Sequence, residues 1–405
     1  MKQIDLGTLP IIPEQYDSEH LAKIDFNVLH SEMTETERKF INGLIRFYRP
    51  KNVIEAGVSY GAGTVNLLNA IFDIPEATLT SIDRLDYWHM DKSVPVGSAV
   101  SKVFPDLPVG KWNMLSGKDP SQVLDSLDTL YDFAVIDTAH LHPIESLNFL
   151  CLLPYLQDGA IVILHDISLY AYSPNGKIRH LAARILSSSV VGNKLFPQIK
   201  STHYISEEEP LNNIVAIQIT DETRKYIKNV FMSLFIPWET LPFSQDVITI
   251  QNCIEKHYEA QMLLDFKDAV IQNFAWVLSE GHTFSLAELR YKLRALPNDT
   301  VFYGAGGNMM NILNSYEVIE EPFDYEIWDI NAEKIKQVKG YTVKNPEFAT
   351  WTNSNRTLVI TIDNKSIADA VADEARSFGW RVIVGRSNIW EIVSPSHVIT
   401  TPPPR

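Results

Sequence analysis

The passage Asn52-Val-Ile-Glu55-Ala-Gly57-Val-Ser-Tyr60-Gly61-Ala-Gly63-Thr64 constrains this chain most. An apolar run passes into glycines, and a helix-forming stretch follows over 61–73. Glycines let a backbone take positive φ and approach a neighbour closely. The helix start beyond them offers free N–H groups and the positive end of a dipole. The spacing E-x-G-x-x-x-G has no lysine, so a triphosphate cradle of the GxxxxGK[ST] kind is not expected. An acid at the strand end repels phosphate and suits a cationic or hydroxyl-rich ligand. Asp83 closes the next strand-like run, Thr78–Asp83, 28 positions after Glu55. In a Rossmann-like sheet that position reaches ribose hydroxyls. Glu55 and Asp83 together point to a nucleoside without phosphates, cationic ones included.

The pattern around this loop repeats. Strand-like runs Asn52–Ala56, Thr78–Asp83, Phe133–Asp137, Ala160–Leu164 and Ile214–Ile219 alternate with helical stretches at 61–73, 120–129, 143–156 and 177–188. The first four runs lack strict apolar–polar alternation and read as strands buried on both faces. A helix is expected over 34–48, with Thr34 as N-cap and Glu37 at capping-box spacing. Residues 1–35 read as an arm and 36–220 as the first α/β domain, with a parallel sheet and helices on both faces. The stretch 221–297 is aromatic and helix-forming and reads as a linker or a dimerisation element, so a homo-oligomer is expected. Residues 298–395 restart the βα pattern as a second, smaller Rossmann-like domain, and 396–405 form a tail.

Composition narrows the partners. The 405 residues carry 35 Lys and Arg against 50 Asp and Glu, a formal charge of −15. Phosphate neutralisation needs a basic face, so nucleic acid is not an expected partner, and neither is an anionic membrane surface. The two cysteines, Cys151 and Cys253, have no CxxC spacing and read as buried thiols. A disulfide framework and a cysteine zinc site are excluded. The N-terminus has no apolar core of a signal peptide, and no window approaches the ~18 apolar residues of a membrane span. A cytoplasmic protein is expected.

A second glycine loop lies in Val301-Phe-Tyr303-Gly304-Ala-Gly306-Gly307-Asn308-Met309. It too follows a strand and opens a helix, but Met309 replaces the third glycine of a dinucleotide fingerprint. Asp329 closes the next strand 23 residues after Gly306, close to the ~20 expected for ribose binding. Gly304, Gly306 and Asp329 form a candidate nucleotide site. The alternative is a domain kept for dimerisation or substrate presentation, with an empty loop.

The first set of features resembles the class I S-adenosylmethionine-dependent methyltransferases over about residues 34–220. Glu55, Gly57 and Gly61 resemble their motif I, and Asp83 the ribose-binding acid. Gly117-Lys118-Asp119 resembles the loop that meets the adenine. Tyr131–Asp137 resembles the fourth strand with its terminal acid. Leu156-Gln-Asp158-Gly159-Ala160 and Ile161–Asp166 resemble the turn and fifth strand of the small-molecule O-methyltransferase branch, which includes sugar- and antibiotic-tailoring enzymes. The resemblance implies S-adenosylmethionine as cofactor, held by Glu55, Gly57, Tyr60, Gly61, Asp83, Asp119 and Asp137. It implies methyl transfer to a small-molecule hydroxyl. The stretch Gly340–Pro346 resembles Rossmann-like domains of bacterial sugar-modifying enzymes, which implies a sugar, sugar nucleotide or glycosylated metabolite as acceptor.

Polar residues after the fourth and fifth strands are the catalytic candidates. Ligands of such sheets bind beyond the carboxyl ends of the strands. In one mechanism His140, or in second place His165, removes the acceptor proton, since an imidazole pKa of ~6.5 suits that task. In the other, Asp137 and Asp166 with His165 hold Mg2+ or another divalent cation that acidifies the acceptor. Relatives often carry an acid where this chain has Ala139 and a serine near Gly63, which weighs against the cation. Two further functions stay open. One is an NAD(P)-dependent sugar-modifying oxidoreductase working through the second loop. The other is a non-enzymatic nucleotide-sugar-binding scaffold with a degenerate methyltransferase domain.

Overall fold

A computed structural model describes residues 24–172, 180–197, 212–278, 293–294, 296–318, 321–348, 356–362, 364–385 and 398–399. Most of the arm, part of the stretch 221–297 and nearly all of the tail lie outside these residues. The chain divides into two compact units, Met1–Thr240 with Asn252–Phe266, and Leu241–Gln251 with Lys267–Arg405.

The first unit opens with α1 (Glu35–Tyr48), where the Thr34–Glu37 capping box forms as the spacing predicts. Then come β1 (Asn52–Ala56), α2 (Ala62–Ile71), β2 (Thr78–Asp83), β3 (Tyr87–Trp88), β4 (Asp91–Pro95), α3 (Ser98–Val103), β5 (Trp112–Ser116) and α4 (Pro120–Leu127). They are followed by β6 (Tyr131–Ile136), α5 (Ile144–Leu152), β7 (Leu156–His165), α6 (Ala182–Ser189), β8 (Asn193–Leu195), β9 (Ile214–Gln218), α7 (Asp221–Lys225) and α8 (Lys228–Ser233). Seven strands make one sheet in the order β5-β2-β1-β6-β7-β9-β8. β5, β2, β1, β6 and β7 run parallel. β9 runs antiparallel to both β7 and β8. The sequence shows no sign of this reversal, because a strand's direction is not written in its residue pattern.

β1 and β6 are buried along nearly their whole length, as their unbroken apolar runs predict. Phe133, Val135, Ile161 and Ile163 pack with Phe40, Ile41 and Leu44 of α1 and Val65 and Leu68 of α2 in one core. Asp132 accepts the N–H groups of Lys51 and Asn52, both at 3.0 Å, and pins the amino end of β1 to β6. The order of strands reverses between β1 and β6. In an open parallel sheet, that reversal opens a crevice at the carboxyl ends.

Helices α9 (Ser244–His257) and α10 (Ala260–Leu278) each contribute to both units. The stretch 221–297, read as a linker, is therefore shared between the two units. The second unit continues with β10 (Val301–Tyr303), α11 (Gly307–Val318), β11 (Glu326–Trp328), α12 (Ala332–Ile335), β12 (Gln337–Val338), β13 (Tyr341–Lys344), β14 (Thr357–Ile360), α13 (Lys365–Ser377), β15 (Arg381–Val384) and β16 (Val398–Ile399). Its sheet order is β12-β13-β11-β10-β14-β15-β16, with parallel strands from β13 to β15. Among the described residues no helix is long and apolar enough to cross a membrane.

Candidate active site

The first glycine loop leaves β1 at the strand reversal. Gly57 has φ of 93°, and its N–H donates to Ile82 O at 2.9 Å. A Cβ there would lie 1.8 Å from the carbonyl oxygen of Asp137. At Gly61, with φ of 103°, a Cβ would lie 2.9 Å from Gly97 Cα. Both glycines let backbone pack on backbone where a side chain would collide. Asp83 holds the same loop. Its Oδ2 accepts the N–H groups of Val58 (2.8 Å) and Ser59 (2.9 Å), and its Oδ1 accepts that of Leu85 (2.8 Å). A carboxylate offers about four lone-pair sites, so Asp83, partly exposed, keeps acceptor capacity for a further donor.

Glu55 is buried. Its Oε2 accepts the hydroxyls of Ser81 (2.7 Å) and Thr64 (2.8 Å), and Trp112 Nε1 donates to Ser81 Oγ at 3.0 Å. Burial pushes its carboxyl up to about 8, against the Ser81 and Thr64 bonds that favour the anion. Asp137 and Asp83 add repulsion. Burial thus favours the neutral form of the Glu55 carboxyl, where the sequence suggests a strand-end anion. Tyr60 packs edge-on to His30 and against Trp88, and its hydroxyl takes a hydrogen bond from Lys102 Nζ. Asp119 is the N-cap of α4, and its backbone N–H donates to Gln122 Oε1 at 3.0 Å.

The residues after β6 and β7 converge. Asp137, His140 and Asp166 each offer one ligand atom, all within 4.8 Å of one another. His140 Nε2 stands 3.1 Å from Asp166 Oδ2 and 3.8 Å from Asp137 Oδ1. His140 and Asp166 both have φ of 59°. This left-handed conformation costs a non-glycine residue about 1 kcal/mol or more, so other bonds must hold the two turns. At Asp166, Asn213 Nδ2 donates to Oδ1 at 2.7 Å, and Asn213 Oδ1 accepts Ser168 N–H at 3.0 Å.

His165 lies outside that set. It is 3% exposed, with Nδ1 at 3.2 Å from Asp137 Oδ1 and 3.4 Å from Asp166 Oδ2, and Nε2 at 3.6 Å from Glu37 Oε2. Burial disfavours a charged imidazole here, but Asp166 and Asp137 outweigh it and hold the pKa well above the ordinary value. Burial would likewise raise the Asp166 carboxyl, yet His165, His140 and the Asn213 bond hold it well below the usual range. Both nitrogens of His165 face carboxylates, and the ring is almost fully buried. His165, a candidate base or ligand in the sequence, therefore stands beside the set of Asp137, His140 and Asp166. His142 is fully buried, and burial lowers its pKa to about 4.

Three residues of this site escaped the sequence reading. Glu37 was legible only as a cap, Asn213 sits 47 positions from Asp166, and Glu145 looks like any acid in a first helical turn. Only the fold brings them together.

In the second unit the loop is built alike. Gly304 N–H donates to Trp328 O at 2.8 Å, and Asp329 Oδ2 accepts Ala305 N–H at 2.8 Å. A side chain at Gly304 would meet Thr361 Oγ1 at 2.8 Å, whereas one at Gly306 would meet nothing within 4 Å.

Comparison with known proteins bears on the first unit. Residues 54–167 match a family model described as a methyltransferase domain. Among solved structures, an O-methyltransferase of Streptomyces achromogenes involved in tomaymycin synthesis, in complex with S-adenosylmethionine, is 16% identical. It covers 50% of this chain and 91% of its own, with a TM-score of 0.37. An O-methyltransferase of Bacillus cereus in complex with S-adenosylhomocysteine is 13% identical, covers 53% of this chain and 93% of its own, and has a TM-score of 0.36. No curated protein matches the chain. The part of this chain that is similar to a methyltransferase domain is thus residues 54–167, which hold the glycine loop, Asp83, Asp137, His140 and Asp166.

Proposed function

We propose that the chain transfers the methyl group of S-adenosylmethionine to a hydroxyl of a small molecule. The cluster of Asp137, His140 and Asp166 carries the reading. It stands at the carboxyl ends of β6 and β7, and Asp137 N–H bonds to Ala56 O at 2.9 Å, directly before the glycine loop. In the transfer the hydroxyl oxygen attacks the methyl carbon, the carbon–sulfur bond breaks, and the sulfonium becomes a neutral thioether. The hydroxyl proton leaves to His140 Nε2, the cluster nitrogen that faces the two aspartates. Alignment of oxygen, carbon and sulfur supplies much of the rate. Asp83 and the loop would hold the nucleoside, with Glu55 hydrogen-bonding as a neutral acid. A sugar or glycosylated metabolite is the acceptor class we favour, on the resemblance of residues 340–346.

The same three residues fit a divalent cation. Two carboxylates and an imidazole are a mixed oxygen–nitrogen donor set, and buried atoms of the surrounding residues, Glu37 Oε1 and Glu145 Oε2, lack hydrogen-bond partners among the described residues. A cation bound there would lower the pKa of the acceptor hydroxyl.

Calorimetric titration with S-adenosylhomocysteine tests the cofactor. Binding is expected for the wild type and loss of it for Gly57→Ala, and a wild type that does not bind refutes the proposal. Transfer that survives EDTA but not His140→Ala selects the base. Transfer lost to EDTA and restored by Mn2+ selects the cation.

A further inference from the structure

We propose that Cys151 and Cys253 are a redox-active pair, which hydrogen peroxide converts to a disulfide joining α5 to α9. They are the two cysteines of the chain, and both are free thiols. Cys151 lies near the end of α5, and Cys253 lies in the half of α9 that belongs to the first unit. That half of α9 is fastened around Cys151. The Tyr258 hydroxyl donates to Leu150 O at 2.6 Å, His257 Nε2 stands 3.0 Å from the Tyr155 hydroxyl, and Lys256 Nζ donates to Asp125 Oδ1 at 2.6 Å. Held in this way, the two thiols are hydrogen-bonded to each other.

The two sulfurs differ as an attacking and a resolving thiol must. Cys151 is 1% exposed, and Cys253 is half-buried. The hydrogen bond with Cys151 holds the Cys253 thiol below its ordinary value, with help from the Lys256 ammonium and against burial and Asp125. The same bond, with complete burial, pushes the Cys151 thiol well up. Cys253 is therefore the sulfur that gives up its proton, and a thiolate is the nucleophile toward an oxidant. It attacks one peroxide oxygen, the O–O bond breaks, and the departing hydroxide takes a proton from solvent as water. Cys253 is left as a sulfenic acid. The Cys151 sulfur then attacks the Cys253 sulfur, the S–O bond breaks, and the Cys151 proton leaves with that oxygen as a second water. In sum two thiols lose two electrons and two protons, and one peroxide becomes two waters. The bond closes a loop of about a hundred residues and ties α9 to α5 close to Gln251–Asn252, where the helix passes from one unit to the other. In a reducing compartment such a pair stays open until oxidant arrives.

The test uses the full chain, reduced, freed of reductant and kept dilute. After hydrogen peroxide, it is quenched in denaturant with N-ethylmaleimide, and its intact mass is read. The reduced chain should take two maleimides and the oxidised chain none, and dithiothreitol should restore both. Tryptic digestion without reductant should release the Cys151 and Cys253 peptides as one cross-linked species. Cys151→Ser should stop at the sulfenic acid of Cys253, which dimedone labels, while Cys253→Ser should leave Cys151 unlabelled. The wild-type masses decide the matter should either variant fail to fold. Both thiols still open to maleimide, sulfinic acid at Cys253 without a cross-link, or a disulfide only between two molecules overturns the proposal. Dimedone on Cys151 of Cys253→Ser, with none on Cys253 of Cys151→Ser, overturns the order of attack.

Discussion

At Gly57 a methyl group has nowhere to go, because the carbonyl oxygen of Asp137 already stands where a Cβ would be. The sequence marks this glycine, and the neighbouring strand end supplies a steric reason for it. Glu55 shows the converse. Its identity suggests charge, and its surroundings remove that charge. The sign of the pH effect follows. The folded-state pKa of about 8 lies above the ordinary value of 4.5, so the folded protein binds the proton more tightly. The stabilisation is complete below about 4.5 and is lost as pH rises through about 8. Glu55→Gln keeps a neutral hydrogen-bonding group and has no such dependence. Urea denaturation at pH 5.5 and 8.5 should show the wild type losing stability relative to Glu55→Gln on going to the higher pH. An equal difference at both values would mean that Glu55 does not titrate in this range.

At the scale of elements, α1 does two things. Its capping box sets where the helix begins, and that start sends Glu37 inward, where Oε2 accepts the Thr34 N–H at 2.7 Å and the Thr34 hydroxyl at 2.9 Å and faces His165. Replacing an N-cap threonine with alanine typically costs about 1 kcal/mol. Thr34→Ala should lower the unfolding free energy by about that much in chemical denaturation. S-adenosylhomocysteine affinity should hold, because Asp83 and the Ile82 carbonyl brace the glycine loop. The β3–β4 hairpin is the counterexample in legibility. It lies in the stretch 84–110, and the short strands Tyr87–Trp88 and Asp91–Pro95 have neither the length nor the apolar run that announces the sheet strands.

At the scale of the molecule, the described residues hold two seven-stranded sheets, and each glycine loop is braced by the aspartate that follows or ends the neighbouring strand, Asp83 in one unit and Asp329 in the other. Beyond that shared frame they differ. Only the first has a cluster of acids and imidazole that could hold a metal ion, among the described residues. Calorimetric unfolding should therefore respond unevenly to S-adenosylhomocysteine. At a hundredfold excess over its dissociation constant, the transition of the first unit should gain about 2.7 kcal/mol, and that of the second should not move. A shift of both by the same amount would mean that the units unfold as one or that both bind.

The sequence alone determined the strand–loop–helix frame of both units, the parallel core of each sheet and the identity of Asp83, Asp137, His140 and Asp166, because periodicity, glycine spacing and strand-end acids are local signals. The tertiary structure decided what those residues are to one another. It buried Glu55 against Ser81 and Thr64, gave both nitrogens of His165 carboxylate neighbours, and brought Glu37, Glu145 and Asn213 to the site from distant segments. Burial and contact depend on which surfaces meet, and a linear pattern of residues does not carry that information.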